Sequence, residues 1–113
     1  QTMFKPVPNP TFTADAAISV PGQAEPARLR MEWRHRSRAE LQSWLDQLAD
    51  KQTEEVDGLD LVIVGWDGAE DQDGETVPYS KERLRQILEN YPAAGADLVR
   101  SYVRALTESR LGN

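Results

Sequence analysis

The segment from Val64 to Lys81, VGWDGAEDQDGETVPYSK, gathers Asp67, Glu70, Asp71, Asp73 and Glu75 among three glycines and one proline. Carboxylates at alternate positions suggest a calcium loop, which also requires a glycine at its sixth position and a bidentate glutamate at its twelfth. Anchored on Gly74, that template has Asp71 and Asp73 at the third and fifth positions but Ala69 at the first and Ser80 at the twelfth. Anchored on Gly68, it begins on Ile63. Both frames lack end ligands, so the segment is expected to be a solvated acidic connection without specific calcium affinity.

Other chemistries are narrowed in the same way. His35 is the only histidine and there is no cysteine, which excludes multi-histidine sites, thiolate nucleophiles, disulfides and cysteine-ligated metals within the chain. A serine–histidine–aspartate triad through His35 would need a nucleophile elbow, and no serine has one around it. His35 is expected to pack structurally. General acid–base work needs a carboxylate perturbed by burial, which a polar loop does not offer, and no glycine-rich phosphate loop is present. The expectation is a non-enzymatic protein with no cofactor.

Charge is unevenly spread over a net of −6. Arg28, Arg30, Arg34, Arg36 and Arg38 crowd one stretch, whereas from Asp46 to Glu75 Lys51 is the only base among many acids. The acidic half argues against general nucleic-acid affinity, which depends on lysine and arginine neutralising phosphates. The arginine row reads first as the wet face of a strand. It also offers a surface for an acidic partner, including the acidic half of a second copy, so Arg28, Arg30, Arg34 and Arg36 are expected to support a salt-sensitive homo-oligomer.

The elements that position these residues follow from periodicity. Residues 3–10, MFKPVPNP, hold three prolines and are extended or irregular. Phe12, Ala14, Ala16, Ile18 and Val20 alternate with polar residues, as do Leu29, Met31, Trp33 and His35 after the PGQAEP break. These two runs form a β-hairpin across 11–36, whose unpaired edges would favour self-association. Ser37 with Glu40 is a capping box for a helix near 37–51 carrying Leu41, Trp44, Leu45 and Leu48. Trp33, Trp44 and Trp66 lie on apolar faces and are expected in the core.

The segment TEEVDGLDLVIVGW is ambiguous. Its β-branched run favours a strand, while Val56, Leu59, Ile63 and Trp66 fit one face of a helix beginning at Thr53. Ser80 caps a helix over 80–90 with Leu84, Ile87, Leu88 and Tyr91, and Pro92 separates it from a last helix over 92–110 that carries Leu98, Val99, Tyr102, Val103 and Leu106 towards the core. Length suits one domain over residues 1–113, with an extended start (1–10), the hairpin (11–36) and a helical part (37–110). No apolar run approaches the roughly twenty residues of a membrane span and no signal peptide opens the chain, so a cytoplasmic location is expected. Met3 is expected to be the native start, preceded by an appended Gln1 and Thr2.

Taken together, the stretches NPTFTADAAISVPG (9–22), WL (44–45), VGWDG (64–68), VPYS (77–80), ENYP (89–92) and RALTESR (104–110) resemble the tail assembly chaperones of tailed bacteriophages, in their short form, over nearly the whole chain. The elements together predict an α+β fold, an N-terminal antiparallel hairpin followed by about four helices, and the resemblance implies helix for residues 53–66 and no enzymatic activity. It implies binding to the tape measure protein, recruitment of tail tube protein, residence in the cytoplasm of the bacterial host and absence from the mature virion. Such a client is rich in amphipathic helix, so the receiving surface is expected to be an apolar groove between the two C-terminal helices. Tyr79, Tyr91, Leu98, Tyr102 and Leu106 are the expected groove residues, some of the helical ones packing inward and the remainder forming the groove with Tyr79 at the helix entrance. From a different class, an acidic inhibitor or regulator of a nucleic-acid enzyme would present the same carboxylates in place of phosphates.

Overall fold

The computed structural model describes residues 4–108, and the end of the last helix expected over 92–110 lies partly outside them. The architecture is α+β, a three-stranded antiparallel sheet with four helices. Strand β1 (Thr11–Ile18) pairs with β2 (Ala27–Arg34) in the register Phe12 to Trp33, Ala14 to Met31 and Ala16 to Leu29. The turn between them is set by Pro21 and by Gly22 at φ 85°, with Gln23 N–H donating to the Val20 carbonyl at 3.1 Å. Proline followed by a glycine of positive φ is the chemistry of a type II turn.

Helix α1 (Arg38–Ala49) opens on the expected capping box: Ser37 Oγ accepts from Glu40 N–H, and Glu40 Oε1 accepts from Ser37 N–H at 2.8 Å. That return bond, the largest influence on it, holds the Glu40 carboxyl below its ordinary value. Helix α3 (Lys81–Asn90) is capped by Ser80, whose Oγ accepts from Arg83 N–H at 3.1 Å. Tyr91 ends it, and α4 (Ala94–Thr107) follows past Pro92.

The helix expected over 53–66 is corrected. Only Glu55–Asp60 is helical (α2), and Ile63–Asp67 forms a third strand, β3, antiparallel to β2 with a bulge between Glu32 and Trp33. A helix continued through this segment would add Gly65 to its interior, at a cost of about 1 kcal/mol relative to alanine. As a strand it uses its β-branched residues and buries Val62 and Ile63 completely or nearly so. The hairpin is therefore one side of a sheet with β2 at its centre, and the residual edge on the β2 side is closed by β3.

Tyr102 of α4 joins the layers. Its ring centroid lies 5.0 Å from that of Trp33, 5.1 Å from that of Trp44 and 6.4 Å from that of Phe12, linking β1, β2, α1 and α4. Its hydroxyl donates to the Arg34 carbonyl at 2.6 Å. Trp44 is fixed at its polar end as well, its Nε1–H donating to the Gly58 carbonyl at 2.8 Å. Gly58 permits this close approach of α1 and α2, since a β-carbon there would fall 2.3 Å from Leu48 Cδ2. Of the three tryptophans, Trp33 and Trp44 are buried and Trp66 is half-buried against the core.

Candidate functional site

Asp71 organises the acidic segment from within. Its Oδ1 accepts from the N–H groups of both Asp73 and Glu75 at 2.9 Å, and its own N–H donates to the Glu75 carbonyl at 2.9 Å. Glu70 bridges to Thr76, Val77 N–H donates to the Ala69 carbonyl, and Gly74 turns at φ 78°. The carboxylate that leads the loop is thus engaged in closing a tight turn, a usual role for aspartate. Among the described residues, no three histidine, aspartate or glutamate side chains converge to hold a metal ion.

This turn stands beside α3 and leaves a cleft of about 600 Å³ between them. Trp66, Val77, Ile87 and Tyr91 give the cleft apolar walls, while Glu70, Asp71 and Asp73 give it an acidic rim. Trp66 is held in place by its Nε1–H donating to the Val77 carbonyl at 2.8 Å and by an edge-on contact with Tyr79, centroids 4.8 Å apart. The Tyr79 hydroxyl donates to Asp60 Oδ1 at 2.5 Å, and burial followed by that carboxylate pushes its pKa well up. Lys81 pairs with Asp57, so α2 fixes the entrance of α3 twice.

The expected groove residues separate in the structure. Leu98 and Tyr102 are 1% and 0% exposed and belong to the core, so they have no free surface to offer a client. Their helix shows apolar residues on more than one side because it packs on β1 along one face and on α2 and α3 along another. Leu106 and Tyr79 are half-buried against the same core, and Tyr91 alone of the five lines the cleft beside the acidic turn. The geometry does not bring the five together into one groove.

The arginines also divide. Arg28, Arg30 and Arg34 stand on the exposed face of β2, with Arg30 Nη1 3.4 Å from Asp15 Oδ1. Arg36 turns away and donates to the Leu61 carbonyl at 3.3 Å. His35 is half-buried with its ring edge-on to Phe12.

Asp97 and Ser101 went unnoticed in the sequence. Asp97 Oδ2 accepts from Ser19 N–H at 2.8 Å, Ser101 Oγ accepts from Ala17 N–H at 3.2 Å, and Arg100 Nη1 lies 2.6 Å from Asp97 Oδ1. Burial works against the charged carboxylate, yet Ser19 and Arg100 outweigh it and hold the Asp97 pKa below its ordinary value. The signal available was an acid spaced one helical turn from a serine.

A family model described as phage tail assembly chaperone matches residues 1–113. The chain belongs to the phage tail assembly chaperone family. No curated protein and no solved structure matches it. In this tail assembly chaperone Ile63–Asp67 is a strand, and Leu98 and Tyr102 are buried in the core. No helix among the described residues is long and apolar enough to cross a membrane.

Proposed function

We propose that this chaperone binds the tape measure protein, keeps its amphipathic helices from aggregating and recruits tail tube protein around it, acting without enzymatic chemistry in the cytoplasm of the host. The observation that carries this reading is the family match over the whole chain. The cleft between the acidic turn and α3 supports it: apolar walls can accept one face of a helix, and Glu70, Asp71 and Asp73 favour basic residues along its flank. Net charge of −6 keeps such a carrier dispersed while an apolar surface is open.

The test is co-expression with the tape measure protein of the same phage, comparing the parent with Ile87→Asp and Tyr91→Asp. Both side chains are half-buried at the cleft, so circular dichroism and melting must first show that each variant folds. Folded variants should leave the tape measure protein in the insoluble fraction. Folded variants that solubilise it as well as the parent would remove the cleft as the client surface, and a parent that fails to solubilise it would remove the proposed function.

A further inference from the structure

The free edge of β1 is only half closed. Ala17 and Ser19 point their N–H groups away from β2, where Ser101 and Asp97 of α4 receive them. On the other side His35 N–H donates to the Pro10 carbonyl, so even-numbered β1 positions face β2 and odd-numbered ones face outward. Thr13 and Asp15 therefore direct backbone donors and acceptors outward as well, and β1 is the terminal strand of the sheet. At this end α4 stands off and leaves a cleft of about 370 Å³ along the edge.

The walls of that cleft have a definite chemistry. Arg28, Arg30, Arg100 and Arg104 line it against only Asp15 and Glu108, an excess of two positive charges on a protein of net −6. Phe12, Ala14 and Ala105 supply its apolar lining. The Arg30–Asp15 and Arg104–Glu108 pairs, at 3.4 and 3.9 Å between half-exposed arginines and their acids, are weak enough to exchange for a competing carboxylate. An open strand edge asks for an extended backbone, and the two kinds of wall ask for side chains that alternate in character.

We propose that the Thr11–Asp15 edge is a strand-addition site for an extended segment of a partner protein in which acidic and small apolar residues alternate. The partner's main chain pairs with Thr13 and Asp15, its acids meet the arginines, and its apolar residues turn towards Phe12 and Ala105. This site is separate from the cleft beside α3 and does not depend on the identity of the client held there.

The probe is a fluorescent, end-blocked peptide of three Val-Glu repeats, with three Val-Lys repeats as control, titrated by anisotropy against the full chain. Because the Thr13 N–H faces outward, Thr13→Pro removes a donor to the peptide and none within the sheet, so this variant folds. The expected result is saturable binding of the Val-Glu peptide, protection of the Thr13 and Asp15 amides from exchange, and loss of binding in Thr13→Pro. Arg28→Glu with Arg104→Glu should weaken it by at least about tenfold. The proposal is overturned by no saturation at about 1 mM chaperone, by equal binding of the Val-Lys peptide, or by binding indifferent to a folded Thr13→Pro. It is likewise overturned if the Thr13 amide becomes protected with rising chaperone concentration alone, since the edge then belongs to a second copy of this chain.

Discussion

Asp97→Ala removes a buried acceptor that ties α4 to the β1 edge. The carboxylate side chain is 6% exposed and receives Ser19 N–H at 2.8 Å and the Arg100 guanidinium at 2.6 Å. A hydrogen bond to a charged group contributes about 1.5–3 kcal/mol, whereas the Arg100 pair is discounted to about 0–1 kcal/mol because that side chain is largely in water. The variant should therefore lose about 1.5–4 kcal/mol in total. With a urea slope of about 2 kcal/mol/M, the middle of the range for small domains, the unfolding midpoint should fall by about 0.75–2 M at an unchanged slope. Asp97→Asn keeps an oxygen for Ser19 and should lose less than the alanine variant. The pH dependence follows from the depressed folded-state pKa: the contribution is present above the ordinary value of 3.8 and lost as pH falls through the lower folded value. Parent and Asp97→Ala should accordingly differ in full at neutral pH and converge in acid. A midpoint shift under about 0.3 M, or a difference that persists unchanged to about pH 2, would refute the assignment of Asp97 as the clasp of the edge.

Tyr102→Phe deletes the donor to the Arg34 carbonyl and should lose about 1 kcal/mol at neutral pH by urea titration. Burial above all pushes the Tyr102 pKa up to about 12, so the parent keeps the neutral phenol's contribution below its ordinary value of 10 and loses it as pH rises through about 12. Tyr79 adds in the same direction, so alkaline unfolding followed by circular dichroism should be later in Tyr102→Phe than its neutral stability implies, without losing all of its pH dependence. Leu98→Asp places a carboxylate where the side chain is 1% exposed and should abolish a cooperative melt, a loss above about 4 kcal/mol. A folded Leu98→Asp with a parent-like melting temperature would return Leu98 to the surface and to the set of groove residues.

The features legible in the sequence are those decided within a few residues of chain. Ser37 and Glu40 satisfy each other's backbone donors three positions apart, Ser80 accepts from Arg83 N–H at the start of α3, and Pro21 with Gly22 sets the turn of the hairpin. Alternation assigned the inner faces of β1 and β2 for the same reason, since a strand's side chains change sides at every residue. The family resemblance, carried by dispersed short motifs, was legible as well. What the sequence left open needed distant partners. The Val62–Trp66 run suits a helix or a strand by its own pattern, and it becomes strand because β2, some thirty residues earlier, leaves an edge to which Gly65 and Trp66 can pair. Likewise, apolar residues on two sides of α4 suggest an exposed groove only while the helix is considered alone. In the folded chain Phe12, Trp33 and Trp44 enclose Tyr102, Leu98 is buried in the core, and Asp97 and Ser101 meet backbone donors of Ser19 and Ala17 about eighty residues away, because burial is a property of what a face packs against.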